Sequence, residues 1–439
     1  MKDVIFLPKF PNDVVVGIDV AADFSYVAIL DPDGELAANP FKIVNYDIRS
    51  LEQFTNKLKE VEKLYSTPIR VVMESTGIYH MPLSHFLEDK GFDVFILNPI
   101  ISNSSKNDDI RKVKNDKRDA FKLAELIRTR SVKLSKPLPK QISRLRQLCR
   151  QHYRFVDTRA ANKLRLGNQL RLIMPGYHTV FTDVTSAASM AVLRTFEGPQ
   201  AICDASQDAL VSLLAEHARK GTKWATKKAI ALQQVAEAAV VLGFSYPFDD
   251  VIEPLLEQID SLTRQIGSFI AKIHACIEGK DFPSKVFKNI ELIQSLPGIG
   301  FVTAVSLVAE IGDFDGFIKP KHLVAFFGVD PAVNQSGKFR GDRINMSKRG
   351  TKIGRRALYT LALSSVKTKR NKEITNPVIR EFYQEKCKSK KKKVALVAVM
   401  HKLINYIFSI FRDQKPYELR SPAEHKAIHI HKKVLQPVA

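Results

Sequence analysis

Short runs rich in β-branched and aromatic residues recur through the first hundred positions, and acids stand at the ends of two of them. VVVGIDVA (14–21) carries Asp19, and SYVAILDPDGE reads as a second strand closed by an Asp-Pro-Asp-Gly turn at 31–34. LAANPFKIVN supplies a returning strand. Residues 50–65 repeat Leu51, Phe54, Leu58, Val61 and Leu64 at helical spacing. IRVVMEST reads as a buried strand with Glu74 at its end, MPLSHFLEDKG as a helix stopped by Gly91, and FDVFILNP as another strand. The order β-β-β-α-β-α-β predicts a mixed sheet flanked by helices.

The next stretch, RKVKNDKRDAFKLAELIRTR (111–130), is a helix by pattern, with Phe121, Leu123, Ala124, Leu126 and Ile127 on its apolar face. Asp116 and Asp119, three apart, project from one side of its first turns. Arg111, Lys112, Lys114, Lys117 and Arg118 surround them. Acids inside a basic run point to carboxylates that hold Mg²⁺ (or Mn²⁺) and cations that hold the phosphates the metal acts on. The plainer alternative is a solvated helix start, where Asp favours the macrodipole. The strand order matches an RNase-H-like (RuvC-like) fold. In such a sheet Asp19 and Glu74 come side by side, and the later helix brings Asp116 and Asp119 to them. Four converging carboxylates repel one another unless divalent cations neutralise them, as in a two-metal site with ions about 3.5–4 Å apart.

Composition narrows the partners. The 439 residues allow two or three domains, and 68 Lys+Arg against 46 Asp+Glu leave a net charge of +22. Such an excess attracts polyanions and gains from counterion release. An apolar fraction of 45% argues against global disorder. Cys149, Cys203, Cys276 and Cys387 lie far apart with no Cys-x-x-Cys pair, which predicts reduced thiols and no zinc. The most apolar C-terminal run, VALVAVMHKLINYIFSIF, is broken by His401, Lys402 and Asn405 and reads as an amphipathic or buried helix. The N-terminus lacks the features of a signal peptide. The expectation is a cytoplasmic protein with no membrane partner.

From Pro137 the chain turns helical. Leu145, Leu148, His152, Phe155, Ala160, Leu164, Leu166 and Leu170 mark one Arg-rich helix ending before Pro175-Gly176. Leu255, Ile259, Leu262, Ile266, Phe269 and Ile273 follow an alternating four-three spacing, an a/d seam. That seam suits either an intramolecular hairpin with the first helix or a dimer contact. Between them, 180–245 is helical but less patterned. LPGIGFVTA has the helix-hairpin-helix form, in which the Gly298 and Gly300 turn and the following helix N-terminus can hold a DNA phosphate. Ser336 then stands among glycines and a crowd of cations: Lys338, Arg340, Arg343, Lys348, Arg349, Arg355 and Arg356. A serine hydroxyl is a weak nucleophile, and a metal-bound phosphate with arginines nearby is the setting that would make it effective. Ser347 is the runner-up; its Ser-Lys-Arg-Gly setting reads as a phosphate-binding helix entry.

GIDVAADFSYVAILDPDGE, MESTGIYHMPLSHFLEDKGFDVFILNP and KNDKRDAFKLAELI together resemble the N-terminal domain of the DEDD insertion-sequence transposases, the RNA-guided bridge recombinases, whose domain is of the Holliday-junction-resolvase type. Asp19, Glu74, Asp116 and Asp119 fall on that family's Asp, Glu, Asp, Asp. PGIGFVTA, FFGVDPAVNQSGKFRG and INMSKRGTKIGRRAL resemble its C-terminal transposase domain, with Ser336 on the nucleophilic serine. The resemblance implies a catalytic domain at 1–131, a helical and coiled-coil region at 132–288 that takes part in dimerisation and RNA contact, a C-terminal transposase domain at 289–420, and a tail at 421–439. It also implies a Mg²⁺-dependent recombinase acting on element ends and target DNA through a phosphoserine, guided by a structured RNA, as a homodimer or tetramer in a bacterial or archaeal cell. The chain departs from the pattern at 180–245, an apparent insertion, and in the basic run Lys386–Lys393.

Three rivals stand beside this reading. A metal-dependent junction-resolving nuclease would use the acids and water, without Ser336. An actin-like ATPase or sugar kinase shares the GIDVAADFSYVAIL strand pair, but it has no need of Asp116 with Asp119. A non-enzymatic nucleic-acid-binding protein would need only the basic helices and the glycine turn.

Overall fold

Alternating and continuous apolar runs become strands here because both faces of the resulting sheet are covered. The structure, a computed structural model, describes residues 9–75, 77–99, 115–132, 134–243, 248–331, 335–336, 339–340 and 346–434. It divides into two units, residues 1–140 and 141–439.

In the first unit, strands β1 (Val14–Val20), β2 (Phe24–Leu30), β3 (Leu36–Val44), β4 (Ile69–Glu74), β5 (Asp93–Leu97) and β6 (Leu134–Ser135) lie in the order β3-β2-β1-β4-β5-β6. The β1–β2, β2–β3 and β5–β6 pairs are antiparallel, and β1–β4 and β4–β5 are parallel. This is the mixed, RNase-H-like sheet that the strand order predicts. The β2–β3 turn is held by Asp31, whose Oδ1 accepts from the N–H groups of Asp33, Gly34 and Glu35. Helices α1 (Ile48–Tyr65) and α2 (His80–Asp89) cover one face, where Phe54, Leu58, Leu83 and Leu87 pack on Val16, Ile18, Val71 and Met73. Helix α3 (Asp116–Thr129) covers the other, its Leu123, Ala124, Leu126 and Ile127 packing on Val15, Leu30, Val72 and Leu97.

Among its described residues the second unit is mainly helical, with only short β segments. Helix α4 (Lys140–Ile173) is followed by α5 (Tyr177–Val180), α6 (Ala187–Thr195), α7 (Pro199–Asp204), α8 (Gln207–Ala218) and α9 (Thr222–Val241), then by the long α10 (Phe248–Ile277). Phe155 meets Phe269 with ring centroids 5.3 Å apart, Arg159 donates to Thr263 at 3.2 Å, and Asn162 donates to Gln258 at 3.0 Å. As one number rises the other falls, so α4 and α10 run antiparallel, and the heptad seam closes within the chain. Helices α5–α9 build their own core on this hairpin's end, with Leu166, Leu170, Leu214, Leu232 and Ile252 buried together. Residues 180–243 thus form a helical cap.

Beyond it lie α11 (Ser284–Gln294), α12 (Phe301–Ile311), α13 (Pro320–Phe327), the strands β7 (Gln335–Ser336) and β8 (Phe339–Arg340), α14 (Lys352–Ser365), α15 (Pro377–Ser389), α16 (Lys392–Asp413) and α17 (Pro422–Val434). By length and composition α16 is apolar enough to cross a membrane. It packs instead against α11, α13, α14 and α15, burying Leu396, Val399, Leu403, Ile407 and Phe411.

Candidate active site

The acids of the first unit are placed by register. Ile18 pairs with Met73 across the parallel β1–β4 ladder, so Asp19 and Glu74 are the next residues on neighbouring strands. Side chains alternate along a strand. Val15 and Val72 face α3, whereas Ile18 and Met73 face the opposite core, so Asp19 and Glu74 belong to the α3 side. There α3 comes down onto the sheet at Gly17. A Cβ built on Gly17 would lie 2.0 Å from the Ala120 carbonyl oxygen and 2.7 Å from the Ala124 nitrogen. Only a residue without a side chain lets the helix backbone rest on the strand here. Asp119 adjoins Ala120, and Asp116 lies one turn before it.

Two further contacts fix α3. Asn115 caps its N-terminus, accepting from Lys117 N–H at 3.1 Å. At the other end Arg128 donates to the Pro32 carbonyl in the β2–β3 turn. Glu74 is 7% exposed, and Asp19, Asp116 and Asp119 are half-buried. The backbone therefore gathers all four acids at one end of one sheet face. Among the described residues, though, no three His, Cys, Asp or Glu side chains stand close enough to hold a metal ion as placed. The donor set itself suits a hard divalent cation, being carboxylate oxygen throughout, with no thiol or imidazole. Sequence reasoning passed over Gly17 and Asn115. The first was findable as a glycine inside a strand pattern, the second as an Asn immediately before a helical period.

In the second unit Ser336 sits on the β7–β8 hairpin. Gln335 pairs with Arg340 and Ser336 with Phe339, which makes Ser336 the last residue of its strand. Lys338 and Arg343 lie outside the described residues. The segment is closed below by a bridge between Pro331 and Met346. Next to that bridge Ser347 donates through N–H to the Asp330 carbonyl at 2.9 Å and through Oγ to Asp330 Oδ1 at 2.5 Å. Lys348, in left-handed backbone at φ 55°, donates to Gly328 O at 3.0 Å, and both it and Arg349 are exposed.

Arg355 and Arg356 hold the protein together. Arg355 donates to the carbonyls of Phe327 at 3.0 Å and Gly350 at 3.3 Å. Arg356 pairs with Asp157 at 2.7 Å and lies 4.6 Å over the Tyr153 ring. Thr351 caps α14 and donates to Glu310 Oε2 at 2.6 Å. Glu310, only 1% exposed, also takes both Arg150 nitrogens at 2.7 and 3.0 Å. Burial works to raise its pKa, but the Arg150 and Thr351 donors with Arg146 nearby hold it below the usual range. Burial pushes the neighbouring Cys149 thiol up to about 12, which makes it inert. Gly298, at φ 90°, forms the turn into α12, whose first residue follows Gly300.

A mixed sheet with acids at one end of a face in one unit, and a glycine turn and a serine hairpin in the other, fit the class of DEDD-type transposases. Residues 16–175 match the DEDD transposase family of IS110, and residues 290–384 match the transposase family of IS116, IS110 and IS902. The chain belongs to this family of insertion-sequence transposases, enzymes that move DNA. It is 23% identical to the insertion element IS110 43.6 kDa protein of Streptomyces coelicolor, over 93% of this chain and 96% of that one. It is 24% identical to the mini-circle putative transposase for IS117 of the same organism, over 74% of this chain and 78% of that one. With the pilin gene-inverting protein of Moraxella bovis it shares 28% identity, over 42% of this chain and 52% of that one.

Proposed function

We propose that this transposase is a Mg²⁺-dependent recombinase that cuts and rejoins DNA strands through a phosphoserine, guided by a structured RNA. The observation that carries the metal half is the placement of Asp19 and Glu74 on adjacent parallel strands, under a helix whose Asp116 and Asp119 approach because Gly17 lets its backbone down. Asp19, Glu74, Asp116 and Asp119 would hold the ion, which would supply charge neutralisation at the scissile phosphate. Four acids close together repel one another and the DNA backbone, and a divalent cation would relieve that repulsion.

Ser336 attacks the phosphorus. Its Oγ–P bond forms as the bond to one sugar oxygen breaks, and the proton lost by serine balances the one gained by the departing hydroxyl. The phosphodiester's energy is kept in the phosphoserine, so rejoining needs no nucleotide hydrolysis. Arg340, Arg343, Lys338, Lys348 and Arg349 supply positive charge along the same segment and stabilise the charge that develops on phosphate. Inversion of a gene by the Moraxella relative accords with strand exchange that conserves every bond. The net charge of +22 suits both DNA and RNA partners.

The test is to trap a covalent protein–DNA adduct on element-end DNA in Mg²⁺. The adduct should vanish with Ser336→Ala and with Asp116→Ala. Cleavage that persists without an adduct in Ser336→Ala would instead assign the chemistry to water. Sequencing of RNA that co-purifies with the chain tests the guide: a structured RNA encoded beside the element is expected, and random cellular RNA would remove that part of the reading.

A further inference from the structure

The glycine turn before α12 does not stand alone. A Cβ on Gly298 would come within 3.0 Å of Thr375 Cγ2 and 3.1 Å of the Ser364 carbonyl carbon, so the turn is seated on the end of α14 and the chain that follows it. Ser365 Oγ donates to the Pro297 carbonyl at 3.3 Å and fixes that seat. The chain that follows is a tight hairpin. Thr368 bridges Ile374, Lys369 N–H donates to Glu373 O at 2.8 Å, and Thr375 N–H donates to Lys367 O at 3.2 Å. Its base is anchored by Arg380, which donates to the Val366 carbonyl at 3.4 Å, and by the buried Asn376, which caps α15.

Between the turn and the hairpin is a cavity of about 330 Å³ lined by Gly298, Ser364, Lys367, Thr368, Lys369 and Thr375. The residues that line it are two lysines, a serine, two threonines and a glycine, with no acidic residue among them. The volume is many times the roughly 30 Å³ of a water, enough for a phosphate and its neighbouring sugar. Over six residues the hairpin carries Lys367, Lys369, Arg370 and Lys372, all exposed. Lys369 pairs with Glu373 at 3.0 Å, whereas among the described residues Lys367, Arg370 and Lys372 have no ion-pair partner. Just past the turn, α12 opens at Gly300 with no side chain capping its first turn, and a Cβ at Gly300 would meet nothing within 4 Å. An uncapped helix start is positive and offers N–H groups.

We propose that the Pro297–Gly300 turn and the 367–375 hairpin form a two-sided clamp for a nucleic-acid phosphodiester, with Lys367 and Lys369 as its ammonium jaw. The clamp rests on the nucleic-acid-acting reading above and extends it to a surface away from Ser336 in sequence. A phosphate entering the cavity lies between the hairpin lysines and the glycine turn, and Lys369 exchanges the exposed Glu373 carboxylate for it. The contact reads backbone and carries no base information.

The experiment uses the full chain with Lys367→Gln/Lys369→Gln, the charge-keeping Lys367→Arg/Lys369→Arg, and a control of equal charge loss, Lys59→Gln/Lys63→Gln, on the exposed side of α1. Affinity is measured against salt for a duplex DNA and for a single-stranded RNA of equal length. The clamp variant should bind one polymer on the order of 10-fold more weakly. Its log–log salt slope should fall by about 0.9 per lost contact on duplex DNA, or about 0.7 on single-stranded RNA. The arginine pair should restore both, with melting temperatures unchanged, and the polymer that responds identifies the source of the phosphate. Equal slopes for clamp and control variants on both polymers would overturn the proposal. A wild-type chain that binds neither polymer would overturn the reading beneath it as well, and loss of the Ser336 adduct with the clamp intact would strike the chemistry alone.

Discussion

Gly17 and Ala120 are in backbone contact: there is room for a hydrogen on the strand residue and none for a methyl group, which would sit 2.0 Å from the helix carbonyl. This single approach sets the height of α3 above the sheet, and with it the distance from Asp116 and Asp119 to Asp19 and Glu74. Gly17→Ala should therefore act twice. Overpacking should cost about 1–3 kcal/mol of stability, measured as a lowered urea midpoint for the N-terminal unit. Adduct formation should fall further than the lost folded fraction explains, because the helix that carries two acids is lifted. Activity that simply tracks the folded fraction would show that the height of α3 is unimportant.

The four acids are expected to behave as one group. Asp19→Asn, Glu74→Gln, Asp116→Asn and Asp119→Asn should each reduce adduct formation by on the order of 100-fold or more, since even indirect partners of a metal cost 10–100-fold. DNA affinity should hold or rise, because each change removes a negative charge near phosphate. Chelation of divalent ions should mimic all four variants in the wild-type chain, and added Mg²⁺ should reverse it. An Asp116→Asn protein with wild-type adduct yield would remove α3 from the site.

Ser336 and Ser347 can be told apart by what holds them. Ser347 Oγ already donates to Asp330 Oδ1 at 2.5 Å beside the Pro331–Met346 bridge, so it closes the base of the segment that carries Ser336. Ser347→Ala should leave the adduct on Ser336 but lower its rate, as the base of the segment loosens, and Ser347→Thr should restore much of it. Ser336→Thr should not rescue to the same degree, because a nucleophile is sensitive to an added methyl group where a clasp is not. Mass spectrometry of the trapped peptide decides the matter: phosphate found on Ser347 would reverse the assignment.

The first unit was legible in sequence because its information is local. Strand runs bounded by turn residues, a helical period at 50–65 and acids at strand ends are all patterns of neighbours, and the order of strands and helices along the chain followed from them. Gly17 escaped because its meaning depends on Ala120, about a hundred residues away and absent from any window around VVVGIDVA. β6 and the β7–β8 hairpin escaped because a two-residue strand has no period to detect. The seam at Leu255–Ile273 announced a partner but not whose, since an a/d stripe is the same for an intramolecular and an intermolecular neighbour. The antiparallel Phe155–Phe269 and Asn162–Gln258 contacts supply what the stripe lacks. For Arg355 and Arg356 a sequence shows charge without its partners, and the structure adds Phe327, Gly350, Asp157 and Tyr153 beside them.

Glu310 makes a prediction in pH. It lies on α12, accepts from Arg150 of α4 and from the cap of α14, and so ties the long helix to the serine-bearing region through one buried carboxylate. Its pKa is held below the ordinary 4.5 in the folded chain. A depressed carboxylate contributes stability that is fully present above its unfolded pKa and is lost as pH falls through the folded value. Glu310→Gln removes the charge and leaves Arg150 and Arg146 beside each other without it. Breaking such a buried pair costs about 3–5 kcal/mol, and the lower end is expected because Arg150 remains about a third exposed to solvent. The gap in unfolding free energy between wild type and Glu310→Gln should therefore be widest near neutral pH and shrink below about pH 4.5, as the wild-type carboxylate takes up its proton. A gap that stays constant from neutral to acid would mean that Glu310 acts by shape and hydrogen bonding alone, and that its charge is not what binds α4 to α12.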